Sequence, residues 1–207
     1  HLQGSAAGTS SGSVLLTAGM AQADQGGDLS VRSGSSQLGN GGLINIQSGA
    51  SQQLASGSIK IETGAAKGAA QQSGSIALQT GDAANSGNIV ITTGAATTSS
   101  AGDIKLNAGS GSQVGGNLFM SGGSSALGSG GNTIINGGSS SGASDSGSVQ
   151  IFGGAASIET GGSIQLNTGV SGSMSSGVIG VTTGQAPESG GINIQSGTSG
   201  LNSGNVG

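Results

Sequence analysis

The chain has 207 residues, of which 47 are glycine, one is proline and none is cysteine. Four Lys/Arg against eight Asp/Glu give a formal net charge of −4, so the chain lacks the basic surface that attracts nucleic acid or anionic membranes. Two phenylalanines are the only aromatic residues, and no apolar run reaches the length of a membrane span. This composition excludes an ordinary globular core and indicates a repetitive or a disordered chain.

A nine-residue unit recurs along the chain. It reads SGSIKIETG at 56–64, SGSIALQTG at 73–81, SGNIVITTG at 86–94 and GGSIQLNTG at 161–169. The second residue of each unit is a glycine, and these marker glycines are Gly12, Gly27, Gly42, Gly57, Gly74, Gly87, Gly102, Gly116, Gly131, Gly147, Gly162, Gly177, Gly190 and Gly204. Their spacings run from 13 to 17 residues. Such a period is typical of a repeat architecture.

The fourth and sixth positions of each unit are apolar, whereas the third, fifth and seventh are mostly polar. Of the 26 fourth and sixth positions in 13 complete units, 24 are Ile, Val or Leu, and the exceptions are Met120 and Thr133. This alternation predicts a strand with one buried face. A disordered glycine-serine linker has no reason to concentrate its apolar residues in two columns, and disorder normally requires a higher net charge.

Only one strand per period carries the pattern, so a hairpin meander is excluded. We therefore predict an all-β fold, a parallel β-solenoid of about 14 coils in which equivalent strands stack, formed by residues 1–207 as a single repeat array. The two predicted aliphatic ladders include Ile59, Ile76, Ile89 and Ile104 in one column and Ile61, Leu78, Ile91 and Leu106 in the other.

The eighth position is small in every unit and the ninth is glycine, as at Thr63 and Gly64. We expect the eighth residue to point inward at a corner and the glycine to adopt a positive φ there. The segment that follows, with one modest apolar residue such as Leu38 or Leu127, is predicted to close over the ladders as a second wall. The chain begins and ends within a unit, so we expect a piece cut inside a coil at both ends.

The sequence offers no arrangement of residues for catalysis, and we expect no enzyme, no cofactor and no metal. The only histidine is His1, whereas Ser-His-Asp chemistry needs a histidine within reach of the nucleophile. Zinc sites need clusters of cysteine and histidine. Asp24 and Asp28 are the only carboxylates spaced to share a cation, and solvated turn residues are the better interpretation.

One feature of the predicted surface favours a partner. Phe119, Ile134 and Phe152 occupy outward positions in three successive units, and an exposed apolar stripe is typical of an interaction site. An interaction patch and incidental exposure of these three side chains are the two interpretations that the sequence leaves open. Uncapped ends and open strand edges further predict association with copies of the chain or with sibling repeats, without nucleic acid and without membrane insertion.

The Gly-x-Ile-x-Ile-x-Thr-Gly-Ala-Ala unit at 57–66 and 87–96 resembles the glycine-serine-threonine repeat tracts of large algal and microbial surface proteins. The resemblance implies a structural role at the cell surface or outside the cell, in a fibre, coat or adhesin stalk. The alternative is an ice-binding solenoid, which the 15-residue spacing and the Gly-Ser-Thr content resemble. The irregular outward positions, charged at Lys60 and Glu62, depart from the flat threonine array that such proteins present.

Overall fold

The computed structural model describes residues 12–23, 25–68, 71–197 and 204–207. Within these residues there is no helix and no β-strand, so the predicted all-β parallel β-solenoid is wrong. None of their apolar side chains is buried, and the predicted ladders therefore do not form a core. No helix of this part of the chain could cross a membrane.

Bends, rather than strands, mark the repeat. The chain divides into two units, His1–Ile104 and Lys105–Gly207, and each carries a series of bends near the middle of the segments that follow the ninth-position glycines. In the first unit they include 37–39, 52–54 and 97–99; in the second they include 112–114, 126–128, 142–144, 157–159 and 172–174. Each bend begins about one repeat after the preceding one, so a loop recurs with the period of the sequence.

The segments between these loops keep the alternation that the sequence predicts. At consecutive positions, Leu118 is 55 % exposed, Phe119 is 88 % exposed and Met120 is 61 % exposed. The same order holds for Ile89, Val90 and Ile91. Because exposure alternates residue by residue, successive side chains lie on opposite sides of an extended backbone. We call the third to seventh positions of each repeat its apolar segment.

A single backbone hydrogen bond closes the loop in seven repeats. The marker glycine donates its N–H to the carbonyl oxygen of the preceding ninth-position glycine, with N···O distances of 2.8 to 3.0 Å. The donor and acceptor pairs are Gly27 and Gly19, Gly42 and Gly34, Gly57 and Gly49, Gly116 and Gly109, Gly131 and Gly123, Gly147 and Gly138, and Gly162 and Gly154. This loop-closing hydrogen bond brings the end of one apolar segment close to the start of the next.

Close approach explains why the marker residue is glycine. A Cβ on Gly42 would lie 3.2 Å from the Ser33 Cβ and 3.3 Å from the Gly34 nitrogen, and one on Gly162 would lie 2.9 Å from the Gly154 nitrogen. The ninth-position glycines have open space around them instead, and no described glycine has a positive φ. The predicted positive-φ corner is therefore wrong; close approach instead requires glycine at the marker positions of closed loops and at the eighth positions Gly122, Gly137 and Gly153.

Serine side chains support several of the bends. The N–H groups of Gly39, Leu54, Gly128 and Met174 each donate to the hydroxyl oxygen of the serine three residues earlier, at 2.9 Å. Such local side-chain bonds compete with regular secondary structure. The serine-rich loops therefore form bends of their own.

The local closure of the loops is the physical reason why the solenoid prediction failed. A solenoid needs the segment after each corner to travel back as a wall, but the loop-closing hydrogen bond returns the chain to its starting point within seven to nine residues. Leu38 and Leu127, predicted to cover the ladders, are fully exposed at these loops. The alternation in the sequence was interpreted as a strand with one buried face, and this was wrong: the segments are extended without forming strands, and neither of their sides is buried.

The accessible surface measures how little a single copy buries. It amounts to 20480 Å² for a chain of 19.0 kDa, whereas a folded monomer of this mass exposes about 8,400 Å² and its fully unfolded chain about 27,500 Å². Most of the surface that folding normally removes from water is therefore still exposed.

Candidate interaction surface

Two rows of aliphatic side chains run through the repeats. The first row holds the fourth-position residues, whose described apolar members are 48 to 62 % exposed; the second row holds the sixth-position residues, 60 to 74 % exposed. Because the fourth and sixth positions lie on the same side of an extended segment, both rows face the same way. Together they present apolar surface in every repeat.

The backbone of the apolar segments is available as well. Among the described residues, every backbone hydrogen bond joins two glycines across a loop, apart from one between Gln71 and Gly68. None of these bonds connects one apolar segment to another. Asp103 and Lys105 have interactions of their own; along the other apolar segments, the N–H and C=O groups that the loop closures do not use are groups to which another extended chain binds.

The patch of Phe119, Ile134 and Phe152 lies on the other side of the second unit. Phe119 and Ile134 occupy the fifth position and Phe152 the seventh position of three successive repeats. All three side chains are largely exposed, which agrees with their outward assignment. Their role in binding a partner stays a prediction.

The charged residues lie on the side of the fifth and seventh positions. Lys60 and Glu62 form an ion pair with a Nζ···Oε2 distance of 2.7 Å, and both side chains are mostly exposed. This contact confirms that the fifth and seventh positions share one side of the segment. An exposed pair of this kind contributes at most about 1 kcal/mol, so its effect on the stability of the chain is small.

The residue type at the eighth position divides the repeats into two kinds. This division was not evident from the repeat pattern. In all seven closed repeats this residue is alanine, serine or glycine, although no such bond joins Gly197 and Gly204, which follow Ser196. The loop-closing hydrogen bond is also absent between the described glycines that follow Thr93 and Thr168, although their loops span the same eight residues as most of the closed ones. A Cβ on Gly177 would lie 3.4 Å from the Thr168 Cβ and 3.7 Å from its γ-methyl carbon.

This contact explains the burial at the eighth position. The only described residues that are half-buried are Ser48, Thr63, Thr80 and Thr168, and all four occupy it. The prediction that the eighth residue points into a solenoid core is wrong; at these four positions the side chain lies against the marker glycine instead. The threonine γ-methyl group fills the space at that glycine and keeps the two loop ends apart.

Two residues considered for chemistry, His1 and Asp24, lie outside the described residues. The described residues contain no group of three His, Cys, Asp or Glu side chains that could hold a metal ion. Comparison of the chain with protein-family models, with curated proteins and with solved structures finds no match.

Proposed function

We propose that this chain is a structural segment of an extracellular or cell-surface fibre, coat or adhesin stalk, without catalytic activity, that becomes ordered by associating with copies of itself or with sibling repeats. The observation that carries the proposal is the pair of aliphatic rows, which stay at least 48 % exposed in every described repeat. Repeated apolar surface distributed evenly along a chain favours an assembly more than a single local binding event.

Energetics supports the same conclusion. Ordering the backbone costs about 1–2 kcal/mol per residue, and apolar burial returns about 25 cal/mol per Å². A single copy leaves about 12,000 Å² more surface exposed than a folded monomer of its mass. Because a standard interface buries only about 1,600 Å² in total, one partner does not suffice, and each chain needs several neighbours.

Sedimentation velocity combined with electron microscopy tests the assembly. We expect open-ended filaments or bundles whose amount rises with concentration, and circular dichroism that changes as they form. A chain that stays strictly monomeric from micromolar to millimolar concentration would contradict the proposal.

Surface location is a separate part of the proposal and needs a separate test. It is supported by the resemblance of the repeat to surface-protein tracts. Antibodies against the chain should label intact cells of the source organism. Labelling only after permeabilisation would contradict an extracellular location while leaving the assembly proposal unaffected.

A further inference from the structure

We propose that the partner of the aliphatic rows is a second copy of this chain, lying parallel to the first and shifted by one repeat. Each apolar segment would then meet the next apolar segment of the neighbouring copy. This inference rests on the proposed function and names the partner and its register.

Complementarity of the rows favours a copy as the partner. Both rows recur in every repeat with the same two positions, so a second copy presents matching aliphatic side chains along the whole contact. The area that a single copy leaves exposed also exceeds one standard interface several-fold, which requires a partner that is available repeatedly. In a parallel arrangement marker glycines also lie beside glycines, so no side chain intervenes where the loops close.

The charges disfavour an unshifted parallel pair. With no shift, Arg32, Lys60 and Glu62 would each lie opposite their own equivalents, and like charges directly opposite are destabilising. With a shift of one repeat, Arg32 faces Gln47 of the copy and Lys60 faces Ala77.

The same shift removes the other like-charge contacts of the apolar segments. The remaining charged positions are Asp28, Glu62, Asp103 and Lys105, and their one-repeat counterparts in either direction are uncharged residues. A shift of one repeat therefore sets no two charged side chains of the segments opposite each other.

The patch of the second unit fits the same register. A shift of one repeat places Phe119 of one copy opposite Ile134 of the other, because both occupy the fifth position. Ile134 then lies diagonal to Phe152 of the copy, within reach of an aromatic side chain. Three residues that each stand exposed in a single copy become a continuous apolar contact.

One repeat is also the smallest shift that separates the like charges and brings the patch residues together. It therefore keeps the largest part of the two aliphatic rows in contact. Such a staggered, head-to-tail contact does not close on itself, in agreement with an open-ended assembly.

Single cysteines test the register, because the chain has none of its own. Ser30 and Asn45 both occupy the fifth position, in neighbouring repeats, and both are exposed and uncharged. The variants Ser30→Cys and Asn45→Cys are assembled separately and as an equimolar mixture, then oxidised and analysed on a non-reducing gel. We expect disulfide-linked dimers in the mixture, several-fold above either variant alone.

The possible results separate the register from the proposed function. Strong cross-linking of each variant with itself would show an unshifted parallel pair and overturn the inference. Assembly without cross-links in any sample would overturn it too, since the two positions would then not be opposite. In both cases the sedimentation of the same samples reports independently whether the chain assembles, so the proposed function is judged separately.

Discussion

Gly42 donates its N–H to the carbonyl oxygen of Gly34 at 2.8 Å, and its own carbonyl accepts a hydrogen bond from the Ser33 hydroxyl at 2.9 Å. Gly42 therefore holds this loop closed through two hydrogen bonds, one to Gly34 and one from Ser33. In this loop the marker glycine is bonded both to the preceding ninth-position glycine and to the serine before it; six further loops share the glycine–glycine bond.

Replacing Gly162 by alanine should open its loop. The new Cβ would lie 2.9 Å from the Gly154 nitrogen, closer than such atoms approach, so the hydrogen bond between the two residues should be lost at a cost of about 0.5–1.5 kcal/mol. Amide hydrogen exchange at residue 162 measures this, and we expect faster exchange. Gly169→Ala is the matched control, because nothing lies within 4 Å of its Cβ position. Equal effects of the two changes would contradict the close approach.

Replacing Thr168 by alanine should have the opposite result. Without the γ-methyl group, Gly177 is free to approach Gly169 and form the hydrogen bond that the alanine and serine repeats already show. We expect slower exchange of the Gly177 amide. The reverse change, Ser33→Thr, should speed up exchange at Gly42. If neither variant alters its loop, the eighth residue does not control closure.

Replacing Ile91 by aspartate should impair assembly. Ile91 belongs to the second row, and burying an unpaired charge against aliphatic side chains costs more than about 1.4 kcal/mol, which is a factor of ten in an equilibrium constant. The concentration needed for assembly, measured by sedimentation, should therefore rise at least tenfold. Val90→Thr, on the other side of the same segment, is the control and should change it little. An unchanged threshold for Ile91→Asp would show that the rows are not the contact.

Replacing Phe119 by serine should also weaken assembly, but less than a charge in the rows. An aromatic cross-strand pair contributes about 0.2–1 kcal/mol relative to alanine, so we expect the threshold to rise by a small factor. Ile158→Ser removes an equally exposed apolar side chain from a loop and should have no effect. If the loop variant weakens assembly as much as Phe119→Ser does, general hydrophobicity rather than the patch is responsible.

Thermal hysteresis should be absent. The threonines that recur regularly occupy the eighth position, where their side chains lie against marker glycines, and the outward positions of the first unit include Lys60 and Glu62. Such a surface lacks the regular outward threonine array of ice-binding solenoids. Measurement of the freezing point of the chain at millimolar concentration decides this, and clear hysteresis would favour the ice-binding alternative.

The sequence predicted the alternation of side chains along each segment, but not the absence of strands, of a buried face and of stacked segments. The alternation at Leu118, Phe119 and Met120 was evident from residue types, because side chains at successive positions of an extended segment lie on opposite sides. The stacking of segments was not, because rows of nearly identical residues specify no particular neighbour. The exposed positions of the patch followed from the alternation alone, whereas the loop-closing hydrogen bond depended on a contact between Gly42 and Gly34 that periodicity does not reveal.

The loop-closing hydrogen bond has a consequence for how such a chain changes over generations. It joins glycines seven residues apart at Gly109 and Gly116, and nine apart at Gly138 and Gly147, with N···O distances of 2.9 and 2.8 Å. Gain or loss of one residue by replication slippage in such a loop therefore leaves the ends of the neighbouring apolar segments equally close. The loops are accordingly the places where an inserted peptide, such as an epitope or an enzyme tag, should leave the rows in phase.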